Sequence, residues 1–255
     1  MMSNFRLDDK RVLVTGASNG IGLAIARAMA EAGADVVLVA RGQTRLDKAR
    51  EYVGTAGHKV WRFTHDMADI DGIAALYEKI LAATGGIDIL VNNAGGTRRG
   101  PAESISTEDW DFVLDLNVKS VFAMCQAFAR ERIAAQKPGK IVNIASLMSE
   151  TVRENNAPYA ASKGAIRQLT KALAVDWARY NINVNCFGPG YIHTDLTRPL
   201  WEDDAFDAWI KKRTPMGRWG TPEDLAPTAV FLASPAADFI TGQIFFVDGG
   251  FLSTF

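Results

Sequence analysis

Tyr159 and Lys163 stand four residues apart in "PYAASKGAI", with only alanines and a serine between them. Residues i and i+4 of a helix share a face, so a phenol and an ammonium at this spacing converge on one ligand, and the small side chains leave that ligand room. A tyrosine of ordinary pKa near 10 is ionised to about one part in a thousand at neutral pH, and lowering it by about three units takes ~4 kcal/mol of preferential stabilisation of the phenolate. A unit positive charge ~4 Å away at an effective dielectric of ~20 supplies about that much. Lys163 is therefore expected to make Tyr159 a general acid or base, and Ser146, at the end of "IVNIAS", to hold the substrate oxygen by hydrogen bonding. A Y-x-x-x-K pair also arises on helices by chance, so its meaning depends on what the rest of the chain brings to the same place.

Elements must carry these groups there. Short runs rich in valine and isoleucine recur at 12–14, 36–39, 60–63, 87–91, 141–144, 182–186 and 244–247, and stretches of helical period lie between them, most clearly at 21–32, 108–135 and 159–180. The runs lack the polar alternation of half-exposed strands, and the intervening stretches are long enough for crossover helices. The pattern predicts an α/β fold of Rossmann type, a doubly wound sheet of seven mostly parallel strands flanked by helices. No linker, repeat or low-complexity stretch interrupts it, which predicts one domain over residues 1–255. The rhythm breaks at 194–221, where Trp201, Phe206, Trp209 and Trp219 sit among charges. A long connection beyond the carboxyl edge of a sheet either covers a ligand as a lid or offers an aromatic surface for self-association, and both readings are open here.

The first run leads into "VLVTGASNGIGLAIARAMA", which sets Gly16, Gly20 and Gly22 between a strand and its helix, with Ser18, Asn19 and Ile21 in the same loop. Glycines there permit a tight turn and let a pyrophosphate approach the unpaired N–H groups and positive end of the helix, although a purely structural turn would use them too. The spacing is GxxxGxG with no GK[ST] after it, which points away from a P-loop. At the end of the second strand of such a fold an acid binds the ribose hydroxyls of NAD, whereas an arginine accommodates the additional phosphate of NADP. Arg41 occupies that place, so NADP(H) is favoured and NAD(H) left open; the competing reading is a solvated surface arginine. Asp66, ending "FTHD", and "NNAG" at 92–95 fall at the same carboxyl edge, where open sheets bind ligands.

Composition narrows the partners. The 255 residues are 48% apolar and 22% charged with a net charge of -1, so no basic surplus attracts nucleic acid or an anionic membrane, and small molecules or copies of the same chain are expected instead. Cys125 and Cys186, far apart in apolar stretches and without a CxxC pair, read as buried free thiols suited to a reducing cytoplasm. "MMSNFRLDDKR" has no apolar run ahead of its charges, and no segment reaches ~18 uninterrupted apolar residues, so neither export nor membrane spanning is expected. His58, His65 and His193 are dispersed with no HExxH-like pair, and no catalytic metal is expected. His193 either borders the substrate or is a plain loop histidine.

Taken together, "TGASNGIG", "NNAG", Asn117 in "LDLNV", Ser146, "YAASK" and "PGYIHT" resemble, in order and spacing, the short-chain dehydrogenase/reductase family over essentially the whole chain. The resemblance implies NAD(P)-dependent interconversion of a secondary alcohol and a ketone. It implies that Tyr159 is the acid or base, that Ser146 orients the carbonyl or hydroxyl, that Lys163 also grips the nicotinamide ribose, and that Asn117 holds a water linking Lys163 to solvent. Pro189, Gly190, Ile192 and Thr194 would frame the nicotinamide, Asp66 and Met67 the adenine, and Asn93, Ala94 and Gly95 would also touch the cofactor. A homotetramer is implied as well, with the C-terminal "FFVDGGFLSTF" at an interface. One departure is Asn19, where some NADP-using relatives carry a basic residue, which leaves Arg41 alone to set the preference.

"NNAGGTRRGP", "APYAASKGAI" and "GYIHTDLTRPLWEDD" look like the gluconate 5-dehydrogenase branch of that family. This implies a sugar-acid substrate, D-gluconate and 5-keto-D-gluconate, with Arg98 or Arg99 and Arg153 near its carboxylate; ordinary surface charge is the other reading of these arginines. Reduction of 2-keto-3-deoxygluconate, a sulfonated sugar, a polyol-derived ketone or a 3-oxoacyl-carrier-protein stays open. A non-catalytic nucleotide-sensing protein is the reading from another class, opposed by the complete set Asn117, Ser146, Tyr159 and Lys163.

Overall fold

In the computed structural model, which describes residues 2–254, the seven apolar runs become strands: β1 (Arg11–Thr15), β2 (Asp35–Ala40), β3 (Val60–Thr64), β4 (Ile89–Asn92), β5 (Gly139–Ile144), β6 (Ile182–Pro189) and β7 (Ile244–Val247). Phe255, the last residue of the C-terminal stretch expected at an interface, lies outside the described residues. All seven strands pair in parallel in the order β3-β2-β1-β4-β5-β6-β7. Parallel neighbours need crossovers, supplied here by α1 (Gly20–Glu31), α2 (Gln43–Gly54), α3 (Ile73–Thr84), α4 (Thr107–Leu114), α5 (Ser120–Ala134), α6 (Ala157–Trp177), α7 (Arg198–Trp201), α8 (Asp204–Arg213) and α9 (Pro222–Ala233). Alternate residues of one strand feed opposite layers. Val12, Val14 and Leu38 pack with Ile25 and Met29 of α1 and Leu232 of α9. Leu13, Val37 and Val39 pack with Ile80 of α3, Phe128 of α5 and Ile166 of α6. Both faces of the central strands are covered, which is why the runs of β1 and β2 carry no polar alternation; β6 alternates with asparagines, of which Asn185 is buried.

The strand order reverses between β1 and β4. Crossovers leave that point in opposite directions and open a crevice at the carboxyl ends of these two strands. The loops expected to hold a ligand, after β1, β2, β4, β5 and β6, all emerge on that edge.

The helix expected over 108–135 is broken. A π turn at Asp115–Lys119 separates α4 from α5, the Ser120 N–H reaching back to the Asp115 carbonyl, and it carries Asn117 to a position only 1% exposed. Apolar periodicity does not register the inserted residue, because α5 has little amphipathic pattern and a one-residue shift of phase leaves no gap in it. By length and composition, Thr107–Ala134 could cross a membrane; in this fold Val121, Met124 and Phe128 are spent on the sheet. The helix expected at 159–180 starts at Ala157, with Pro158 in the first turn where its missing N–H costs nothing, and gives way after Trp177 to a 3-10 turn.

Residues 194–221 fold as short helices whose aromatic rings pack on one another: Ile210, Trp219, Leu147 and Phe251 are buried, with Tyr191, Trp201 and Phe206 against them. Trp209 stays half-exposed.

Beneath the crevice, β4 and β5 are tied to α6 by buried polar side chains. Asn92 Nδ2 donates to Asn143 Oδ1 (2.9 Å), and Asn143 Nδ2 donates to Thr170 Oγ1 (3.0 Å). Asn143 is wholly buried, so truncating it strands two polar partners in the core. Asn143→Ala is expected to lower the unfolding free energy by about 2–3 kcal/mol, read from urea unfolding; a change below about 0.5 kcal/mol would show that the network contributes nothing.

Candidate active site

At the end of β1 the chain turns through Gly16 (φ +65°) and enters α1 at Gly20 (φ +52°), left-handed conformations that favour glycine. Gly22 is needed for space: a Cβ there would lie 2.4 Å from the Gly16 carbonyl oxygen and from Asn93 Nδ2. Asn93 clasps this loop, donating to the carbonyls of Thr15 (3.0 Å) and Gly16 (3.1 Å), while the Asn93 and Ala94 N–H groups donate to Thr15 Oγ1. Asn19 caps α1 without a side-chain hydrogen bond, leaving the first N–H groups of the helix to an anion.

One cleft of about 330 Å³ follows. It runs from the loop residues Gly16, Ser18, Asn19, Gly20, Ile21 and Gly22 past Arg41, Asp66 and Met67, and past Asn93, Ala94 and Gly95. It ends at Ser146, Tyr159, Lys163, Pro189, Gly190, Ile192 and Thr194. Every residue expected to touch a cofactor lines it. Among the further residues that line it are Arg45 and His65. Arg45 was legible only as a second arginine one helical turn after Arg41. Arg41 lies 3.8 Å from Asp66 and is 69% exposed, so its charge is largely free for another anion. Left-handed glycines, an open helix N-terminus and two arginines at the far end form a donor set that fits the phosphates of a dinucleotide. Across the cleft, Asn19 Nδ2 donates to Asp195 (3.2 Å), linking the glycine loop to the turn after β6.

At the other end, the last residue of β5 meets α6. Lys163 Nζ donates to the Ile144 carbonyl (2.7 Å); the side chain is 6% exposed, has no carboxylate partner among the described residues, and burial lowers its pKa to about 8. The half-buried Tyr159 shares its helix face, with Nζ 5.6 Å from the ring centre. Burial pushes the phenol up; opposing that are a hydrogen bond from Ser146 and then the charges of Arg99 and Arg153. Two arginines from other loops thus add to the charge expected from spacing, while Lys163 keeps its positive charge beside the ring as it donates to Ile144.

Asn117 closes the corner from the π turn. Its Oδ1 accepts from the Gly96 N–H (2.9 Å), and its Nδ2 donates to the Gly96 carbonyl (2.9 Å) and to Ser162 Oγ (3.0 Å). One lone pair on Oδ1 is left. That oxygen and Lys163 Nζ flank the space a Cβ on Gly95 would fill, at 3.2 and 3.8 Å.

Beyond Tyr159 lies a recess of about 80 Å³ lined by Arg99, Arg153, Asn156, Tyr191 and Leu200, with Ser146 and Tyr159 on the shared wall. Burial and the nearby Arg153 push the Arg99 guanidinium down from its ordinary value, and no carboxylate acts on it. Arg153 rests over the Phe206 ring at 5.4 Å. Neither arginine forms an ion pair among the described residues. Arg98 does not join them: it lies 3.2 Å from Asp109 and 4.0 Å over the Phe112 ring, held on the outer side of α4. Of the adjacent pair, therefore, only Arg99 reaches the recess. Asn156 and Tyr191 were not singled out in the sequence, where nothing local distinguishes them. His193 lines neither cavity and stacks on Trp201 at 4.0 Å, as a loop histidine. Among the described residues no three His, Cys, Asp or Glu side chains gather as metal ligands.

A family model described as enoyl-(acyl carrier protein) reductase matches residues 16–252. The chain is 46% identical over 250 residues to the gluconate 5-dehydrogenase of Gluconobacter oxydans, covering 96% of each, and 44% identical over 253 residues to the 2-dehydro-3-deoxy-D-gluconate 5-dehydrogenase of Dickeya dadantii, covering 99% of each. A crystal structure of a gluconate 5-dehydrogenase from Burkholderia cenocepacia in complex with NADP and tartrate is similar at a TM-score of 0.95 and 45% identity, over 100% of this chain and 99% of that one. With strand order, glycine loop and the Ser146, Tyr159 and Lys163 corner all in place, the chain belongs to the short-chain dehydrogenase/reductase family.

Proposed function

We propose that the protein is an NADP(H)-dependent oxidoreductase that interconverts a secondary alcohol and a ketone on a sugar acid, with D-gluconate and 5-keto-D-gluconate as the pair. The observation that carries this reading is the pair of guanidiniums, Arg99 and Arg153, gathered without a carboxylate beside Tyr159. Two like charges held together are relieved by an anion, and the guanidinium fork matches a carboxylate in particular. An acid bound there at one end presents its carbon chain to Ser146 and Tyr159. Relatives named for D-gluconate and 2-dehydro-3-deoxy-D-gluconate support the substrate class.

The bound nicotinamide would supply the hydride exchange at the reacting carbon. The glycine loop and the open N-terminus of α1 would hold its pyrophosphate, and Arg41 with Arg45 the additional phosphate of NADP; the NADP-bound relative supports that choice. Ser146 hydrogen-bonds the substrate oxygen. Tyr159 gives that oxygen a proton as a ketone is reduced and takes one as an alcohol is oxidised. Lys163, anchored on Ile144, keeps two N–H donors for ribose hydroxyls and for a water held against Asn117 Oδ1. Residues 194–221 act as the lid, supported by Thr194, Leu196 and Thr197 on the cleft and Leu200 on the recess. We read the protein as a cytoplasmic homotetramer, supported by the buried thiols Cys125 and Cys186 and by exposed apolar side chains such as Val175 and Phe239.

Tyr159→Phe is expected to cut kcat by about a thousandfold while leaving NADPH binding, measured by fluorescence titration, unchanged; substantial residual turnover would remove Tyr159 from the proton step. Arg41→Ala should weaken NADPH binding about ten- to hundredfold and leave NADH binding alone. Equal effects on both would show that Arg41 does not read the extra phosphate. Arg153→Ala should raise KM for D-gluconate and also move the apparent pKa of the oxidation rate upward, because a cation favouring the phenolate is gone. A pH profile that stays in place would contradict that charge assignment.

A further inference from the structure

Tyr191, in "PGYIHT" just after β6, borders the recess between Arg153 and the lid. Four aromatic rings enclose its own: Phe251 at 5.3 Å between centroids, Phe206 and Trp219 at 5.7 Å and Trp209 at 6.4 Å. They come from α8, from the turn before α9 and from the C-terminal turn, so the cage is assembled from distant parts of the chain. Tilted and edge-on packing of this kind fixes a ring in place, and a phenylalanine would satisfy it equally well. The hydroxyl is what needs explaining. No protein group hydrogen-bonds it among the described residues, and the charges that act on it are Arg153 and then Arg99. The oxygen is not sealed from solvent, and Tyr191 lines the recess together with the two unpaired guanidiniums, so an anion held by them meets a phenol able to donate.

We infer that Tyr191 is a substrate-recognising residue whose hydroxyl donates to the same carboxylate that Arg99 and Arg153 hold, completing a three-donor anion site oriented by the aromatic cage. This rests on the sugar-acid reading of the recess. It also gives the lid aromatics a role in selection: the cage fixes the phenol, the phenol and arginines fix the carboxylate, and the position of the carboxylate decides which carbon of the acid reaches Tyr159.

Tyr191→Phe keeps the ring and removes only the oxygen, and an unchanged thermal midpoint verifies the fold. In the NADPH-saturated protein, KM for 5-keto-D-gluconate and Ki for the non-reacting dicarboxylate L-tartrate should each rise about tenfold, the effect of losing one hydrogen bond to a charged group. The affinity for NADPH and kcat should stay within about twofold, a split that general disruption of the site would not produce. Unchanged KM and Ki, or a fall in kcat at constant KM, would overturn the role of Tyr191. If the wild-type protein neither reduces 5-keto-D-gluconate nor is inhibited by tartrate, the sugar-acid reading itself fails, and this is decided without the variant.

Discussion

The 2.7 Å bond from Lys163 Nζ to the Ile144 carbonyl joins the end of β5 to α6, and the catalytic geometry follows from it. Ser146 lies two residues beyond the acceptor and Tyr159 one helical turn before the donor, so fixing this contact fixes both hydroxyls relative to each other. The price is an ammonium in the interior with a single carbonyl and no carboxylate, its pKa pulled from 10.5 to about 8. An unfolded chain would keep that lysine protonated to a higher pH than the folded one does, so between about 8 and 10.5 stability rises with pH, and at neutral pH the fold carries the full desolvation cost. Groups retained against such a cost concentrate at functional sites. Here the core under β4, β5 and α6, with its Asn92, Asn143 and Thr170 ladder, supplies the rigidity that holds the charge in place.

Part of the electrostatics at Tyr159 comes from the substrate side. The cations that favour the Tyr159 phenolate are Arg99 and Arg153, which also line the recess where an acid would bind. Proton affinity and anion binding are consequently linked. A carboxylate that neutralises the arginines removes their support for the phenolate and favours the phenol, the form that donates a proton to a ketone.

Much of this was legible in the chain. Seven short runs rich in valine and isoleucine pointed to the parallel sheet, those of β1 and β2 without alternation because both their faces are buried, and the glycines after β1 marked a turn that few other residues can make. What escaped had physical reasons. The π turn at Asn117 leads into a helix with little amphipathic pattern, where inserting one residue leaves no trace in periodicity. Arg98 and Arg99 are neighbours in a loop, and the pairing of Arg98 with Asp109 and Phe112 leaves Arg99 as the one that lines the recess. The spacing of Tyr159 and Lys163 placed both on one face but could not tell that a strand carbonyl would claim the ammonium. Asn156 and Tyr191 become site residues through contacts with elements far away in sequence.

The aromatic segment also limits how a lid can work. Trp219 donates to Asp207 (2.8 Å), and Arg218 pairs bidentately with Asp224 (2.6 and 2.9 Å), while Ile210 and Trp219 are buried against Phe251. Those contacts bind α8 and the turn after it into the body of the protein. Residues 195–201 are held by Thr197 Oγ1 donating to the Ile192 carbonyl (2.6 Å), by the Arg198–Asp195 pair (2.9 Å), by Asn19 reaching Asp195 (3.2 Å) and by Trp201 stacked on His193, while Leu196 between them is exposed. Segments that open at low cost are those with few buried contacts. Within the lid proposed for 194–221, the exposed Leu196 on the cleft is therefore the part least committed to packing, whereas the rings around Tyr191 are tied to α8 and the C-terminal turn.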